Sequence, residues 1–313
     1  LLRMILMRFY LKLPTLADTK DYLKAGKLLT TYLGYYNVSK LKMSGIEMKE
    51  KYGDINVTLL DDFVAQCEID RPPNNFFDLN LIRDMADCFD DLDGDSNCRA
   101  IVLCSNGKHF CAGANFATAD QTAEGDVLAA ESADQRNPIY QEAVRLFGNK
   151  KPVIAAVQGA AVGGGLGVAM MADFRVVCET TRLTANFVKL GFTPGFGLTH
   201  TLPRAIGTQK SHLMFYTGRR IDGRTALDWG AADIFAGIHE VREKAIELAR
   251  EIAVNAPLAL ISLREQLRSN LQAAVQDATD VEGREQFWLT RTQDHLEGLQ
   301  AVADRRTGNF KGD

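Results

Sequence analysis

The sequence predicts an α/β fold with a helical C-terminal extension, and three observations carry that prediction. Uninterrupted apolar runs, at 153–157 and within 99–105, suit strands covered on both faces. Between such runs lie stretches with apolar residues at helical spacing, as at Leu81, Met85, Phe89 and Leu92. From His239 onward the pattern is helical throughout. Strands alternating with helices, then helices alone, define a layered α/β core and a helical tail.

The elements follow in order. Residues 55–60 and 63–69 read as strands joined at Asp61–Asp62, a hairpin turn signal. Pro72 and Pro73 make the next stretch a loop. Asp78 can cap the helix that carries Leu81 to Leu92. The acidic run at 90–95 is a solvated helix end. It lacks the glutamate that a calcium loop requires at its twelfth place. Residues 117–138 are polar, acidic and without period, and are expected to form a mobile loop over a site. A helix is expected at 139–147 and strands at 153–157, 174–178 and 182–185. Helices are expected at 166–171, within 194–207, at 208–218, 222–229, 239–254 and 257–270, and at 278–305 with breaks.

Composition narrows the class. With 313 residues, 46% hydrophobic and 24% charged, the chain can bury a sizeable core as one large domain or two smaller ones. A net charge of −4 argues against general nucleic-acid binding, and no run of apolar residues is long enough to span a membrane. Six cysteines show no CxxC spacing, so reduced thiols are expected rather than disulfides or a zinc site. Residues 1–42 differ from the rest: they carry +6 against −10 elsewhere and hold five of the eight tyrosines. A basic presequence, an amphipathic binding segment and upstream sequence outside the fold all fit that composition. The expectation adopted is a domain that starts near Met43. A core at 43–238 and a helical oligomerisation region at 239–313 would follow. The corresponding location is cytoplasmic, or mitochondrial if residues 1–42 act as a presequence.

The stretch 151–173, KPVIAAVQGAAVGGGLGVAMMAD, reads as a buried strand, a turn at Gly163, Gly164 and Gly165, and a helix without charge. The first N–H groups of a helix have no partner within it, and bare glycines let another molecule approach them. A second strand opens into NGKHFCAGANF at 106–116. An apolar strand running into a CAGA loop, with strand–GGG–helix some fifty residues later, resembles the crotonase (enoyl-CoA hydratase/isomerase) superfamily. The closing DRRTGNF resembles that family's ending.

The resemblance implies a ββα spiral core whose C-terminal extension packs between subunits of a homotrimer or homohexamer. It implies an acyl-CoA thioester as substrate, with no bound cofactor. By motif match, the N–H groups of Ala114 and Gly164 would hold the thioester oxygen. Ala112 would face the coenzyme, and Arg305, with Lys108 as a weaker candidate, would reach its phosphates. The hydratase pattern also places glutamates at positions that here are Gly167 and Phe187, and an isomerase variant places an acid at Phe187 or Gly195. None is acidic, so the usual two-glutamate hydration is doubtful. Asn115, Asn186, Thr184 and Thr193 are polar neighbours that could orient water or substrate. Glu124, Asp126, Glu131 and Asp134 are acids of the 117–138 loop. His109 and His200 are expected to be structural, and no metal-ligand spacing stands out. Hydrolysis or decarboxylation on the same fold, and acyl-CoA binding without turnover, stay open beside hydration and isomerisation.

Deleting residues 1–42 is expected to leave a folded, assembled protein. Thermal melting and size-exclusion chromatography check this, and a large fall in melting temperature would place the segment within the fold.

Overall fold

The computed structural model describes residues 49–115 and 135–313, all within one unit spanning Glu47–Asp313. The expectations for residues 1–42 and for the body of the 117–138 loop lie outside the described residues.

Among the described residues, a seven-stranded sheet has the order β1-β2-β3-β4-β5-β7-β10. Its strands are β1 (Lys51–Tyr52), β2 (Ile55–Leu59), β3 (Val64–Ile69), β4 (Ala100–Ser105), β5 (Val153–Val157), β7 (Phe174–Val177) and β10 (Ile234–Phe235). The first three are antiparallel; from β3 to β10 every pairing is parallel. A second sheet joins β6 (Ala160–Val162), β8 (Arg182–Thr184) and β9 (Arg220–Asp222).

The apolar runs have a direct cause. Alternate residues of one strand enter two different cores. Ile101, Leu103, Val153 and Ala155 join the larger cluster with helices α1 (Leu79–Gly94), α2 (Pro138–Phe147) and α3 (Gly164–Met171). Val102, Cys104, Ile154 and Ala156 join the other, beneath Val241, Ala245 and Ala249 of helix α7 (Val241–Ala253). With both faces covered, neither parity of side chain can be polar. Residues 239–253 thus close one face of the sheet.

Local signals set several boundaries. Asp78 accepts from the N–H of Leu81 at 2.8 Å and caps α1. Asp222 does the same for Thr225 at the start of α6 (Gly223–Trp229). Helices α4 (Leu198–Ile206) and α5 (Thr208–Thr217) follow the glycine-rich turn, and α8 (Pro257–Leu267), α9 (Leu271–Leu289) and α10 (Gln293–Ala303) complete the chain. The helix expected from 278 begins seven residues earlier, at Leu271. Four short strands, β1, β6, β9 and β10, carry no pattern long enough to read from sequence. All six cysteines are free and buried. No helix among the described residues is long and apolar enough to cross a membrane.

A buried ion-pair group fastens α8 and the residues after it to the core. Asp173 accepts from the Val153 N–H, Arg264 Nε and Arg268 Nη1, each at 2.8 Å. Burial pulls the Asp173 carboxyl upward, but Arg264 and Arg268 outweigh it and hold it below the usual aspartate range. A depressed carboxyl contributes stability above its unfolded value that is lost as pH falls through the folded one, so this contribution disappears below about pH 4. Asp173→Asn is expected to destabilise by about 3–5 kcal/mol at neutral pH, because the buried Arg264 and the partly buried Arg268 guanidinium groups lose their counter-charge. Urea unfolding at pH 7 and pH 3 checks this: the gap between parent and variant should shrink at the lower pH.

Candidate active site

The CAGA loop and the GGG turn are far apart in sequence, and a short backbone ladder brings them together. Phe110 donates to the carbonyl of Gln158 and Cys111 to that of Ala160, while Val162 donates back to Cys111 at 3.1 Å. Cys111 also bridges to Ala161 in the parallel sense, so the loop acts as an added edge on β6. The Cys111 carbonyl then rests against the start of α3. A Cβ at position 165 would lie 2.2 Å from that oxygen, so only glycine admits this approach.

The proline loop supports the other side. Asn75 is fully buried, and its Nδ2 donates to the carbonyls of Asn106 (2.7 Å) and His109 (2.6 Å) while its Oδ1 accepts from Arg71 N–H. Ala112 N–H donates to Asn74 O, and Phe77 N–H to Gly113 O. Phe77 is thereby placed over the GGG turn; a Cβ on Gly164 would meet its ring at 2.2 Å.

The result is a cavity of about 300 Å³. Ala112, Gly113, Ala114 and Asn115 line one part and Gly163 and Gly164 another. Its remaining walls are mostly aromatic or aliphatic: Phe76, Phe77, Phe187, Phe192, Phe196 and Leu190. The N–H groups of Ala114 and Gly164 have no hydrogen-bond partner among the described residues. The Gly164 group is unpaired because it opens helix α3, whose eight residues are all buried.

The residues singled out from the sequence do not all meet in this cavity. Ala112, Ala114, Asn115, Gly164, Asn186 and Phe187 line the cavity together. Gly167 does not: a Cβ there would lie 2.6 Å from the Phe196 ring, which fills the space a longer side chain would take. Its expected place in the pocket is therefore corrected. Arg305 is exposed and lies outside the cavity, whereas its neighbour Arg306 is held by Glu297. Lys108 and His109 line a second cavity of about 570 Å³ with Ser105, Gln158 and Arg242. His109 Nδ1 accepts from the Ala160 N–H at 3.1 Å, a structural use, and burial, with Lys108 and Arg220 adding to it, lowers its basicity. Thr184 donates to Arg219 O, and the buried Thr193 hydroxyl has no partner among the described residues. Glu124, Asp126, Glu131 and Asp134 lie outside the described residues. No His, Cys, Asp and Glu cluster suited to a metal occurs among the described residues.

Sequence reasoning missed Phe77, Tyr140, Phe192 and Phe196, and Leu299, Val302 and Ala303 of α10. Each is an apolar or aromatic position with no local motif; the packing of α10 over Phe187–Leu190 brings Leu299, Val302 and Ala303 to the cavity, and long-range contacts of other elements bring the rest.

The fold and these two motifs define a member of the Enoyl-CoA hydratase/isomerase family: the family's profile matches residues 61–313, and the chain belongs to it. A "Probable enoyl-CoA hydratase" of Bacillus subtilis (strain 168) is 35% identical over 257 residues, covering 81% of this chain and 97% of that protein. A carnitinyl-CoA dehydratase of Proteus mirabilis (strain HI4320) is 31% identical, covering 80% of this chain and 95% of its own length. Among solved structures, an enoyl-CoA hydratase/isomerase from Pseudoalteromonas atlantica T6c shares the fold with a TM-score of 0.72 at 23% identity. It covers 82% of this chain and 100% of its own.

Gly165→Val is expected to push the Cys111 carbonyl off α3 and separate Ala114 from Gly164. Circular dichroism should report a lower melting temperature, and isothermal titration with acyl-CoA should report weakened binding in whatever protein remains folded.

Proposed function

We propose that this protein transforms an acyl-CoA thioester by holding its carbonyl oxygen, as it gains negative charge, on the N–H groups of Ala114 and Gly164. The observation that carries the reading is the presence in one apolar cavity of both N–H groups, neither with a partner among the described residues. Deprotonation at the α-carbon or attack at the β-carbon puts charge on that oxygen. Fixed donors in a dry site stabilise it, each worth about 3–4 kcal/mol. The thioester is the substrate, and the reading calls for no resident cofactor.

The side chains around such a hole select the reaction. Here Phe187 lines the cavity and Phe196 covers Gly167, so neither glutamate position of the hydratase pattern offers a carboxylate. That observation favours enolate chemistry other than two-glutamate hydration, including hydrolysis or decarboxylation of an acyl-CoA. Arg305, exposed and without an ion pair among the described residues, is available to coenzyme phosphates. A homotrimer or homohexamer fits the exposed leucines of α8: Leu263 and Leu267, one turn apart, are 52% and 66% exposed, an apolar strip that a second copy would cover.

Incubating the protein with a panel of acyl- and enoyl-CoAs and following products by mass spectrometry tests the reading. Unchanged acyl-CoA throughout, with tight binding, would make the protein a binder. Crotonyl-CoA hydration is expected to stay far below the roughly 1–10³ per second typical of enzymes. Gly164→Pro removes one donor but drives its ring into Phe77, so it is made on a Phe77→Ala background, which clears that space. Turnover should fall about a hundredfold or more relative to Phe77→Ala alone. Equal turnover would remove Gly164 from the mechanism.

A further inference from the structure

Tyr140 of α2 is the one titratable side chain among the described residues that line the cavity. Its hydroxyl is held in a fixed sense. Gln286 of α9 is buried, and its Nε2 donates to the carbonyls of Thr193 (2.9 Å) and Pro194 (3.0 Å). Two carbonyl acceptors on one side of an amide leave no doubt about which end is nitrogen. Gln286 Oε1 therefore faces Tyr140 and accepts its hydroxyl proton at 2.6 Å.

One turn earlier on α9, Glu282 grips the same segment from its other end. It accepts from the N–H of Gly197 (2.8 Å) and of Thr199 (2.9 Å) and from the Thr199 hydroxyl (2.6 Å). Gln286 takes the carbonyls and Glu282 the N–H groups, so residues 193–199 are clamped from α9. This clamp sets Gly195 beside the phenol: a Cβ at position 195 would lie 2.0 Å from Tyr140 Oη. The phenolic oxygen thus stands where a side chain at 195 would begin.

We propose that Tyr140 determines specificity in the acyl pocket: with its proton committed to Gln286, its oxygen accepts a hydrogen bond from a hydroxyl on the acyl group. The site then selects hydroxyacyl thioesters over their deoxy counterparts. The inference rests on the acyl-CoA reading above. A phenol oxygen both donates and accepts, and once its proton is spoken for, only acceptor capacity is left for a ligand. Burial and, after it, the nearby Glu282 charge push the phenol upward, so it does not ionise at neutral pH and the donor role towards Gln286 is permanent. The surrounding phenylalanines and leucine offer an acyl hydroxyl no partner, and apart from Asn115 and Asn186 the phenol is the only polar side chain among the described residues that line the cavity, which gives its oxygen leverage over binding.

Isothermal titration of the full-length protein with butyryl-CoA and with 2-, 3- and 4-hydroxybutyryl-CoA tests this. The readout is the affinity ratio of the best hydroxy ligand to butyryl-CoA. The parent should show a ratio of about ten. Tyr140→Phe keeps the ring and should bring the ratio to about one. Gly195→Ala, whose Cβ would displace the phenol and press on Gln286 Nε2, should lower the ratio as well. A parent ratio of one overturns the proposal while leaving the acyl-CoA reading standing. A ratio that survives Tyr140→Phe, including equal weakening of every ligand, overturns it too by reducing Tyr140 to a structural role. If the parent binds none of the four, the acyl-CoA reading falls and this proposal with it.

Discussion

The contact on which the rest depends is the approach of the Cys111 carbonyl to Gly165. One edge of the CAGA loop pairs with β6, and its carbonyl lies in the space that any side chain at 165 would claim. The contact is made of backbone alone. It holds two chain segments in a fixed relation whatever surrounds them, and it sets Ala114 and Gly164 in one cavity. A site made of backbone donors on two buried elements is preorganised, because little can move when charge develops.

Among the described residues, no charged side chain lines the cavity around this frame. Phe187 and Phe192 meet edge to face with centroids 5.7 Å apart, and Phe77 and Phe196 do so at 6.0 Å. Phe196 holds a positive φ of 63°, a conformation that the clamp from α9 maintains. The aromatic walls lower the local dielectric, which strengthens every remaining polar contact and penalises any unpaired one. Few polar groups remain, so each of them carries weight.

The C-terminal helices are part of this site. Helix α9 orients Gly195, Phe196 and Tyr140 through Gln286 and Glu282, and α10 contributes Leu299, Val302 and Ala303 to the wall. Glu282 also supplies what α4 lacks. Its N-terminal neighbour is Gly197, which has no side chain to cap the helix, and a carboxylate from α9 accepts those N–H groups instead. Its burial raises the Glu282 carboxyl, and the hydrogen bonds from Thr199 and Gly197 oppose that rise. The chain beyond residue 239 is thus a working part of both the sheet's cover and the cavity.

The sequence by itself determined the elements with strong local patterns. Val153–Val157 was legible because a strand buried on both faces must be apolar throughout, and Asp78 marked a helix start because orphan N–H groups need an acceptor. The two motifs were also legible, since glycines at a buried strand–helix turn and a CAGA loop at that spacing are rare together. Tertiary structure decided the rest. Short strands such as β6 and β9 owe their pairing to distant partners, and no two- or three-residue stretch encodes that. The loss of Gly167 from the pocket depended on where Phe196 came to lie, and the presence of Tyr140 depended on a helix more than a hundred residues away. Local sequence specifies which backbone groups are left unpaired; only the packed chain specifies which side chains surround them.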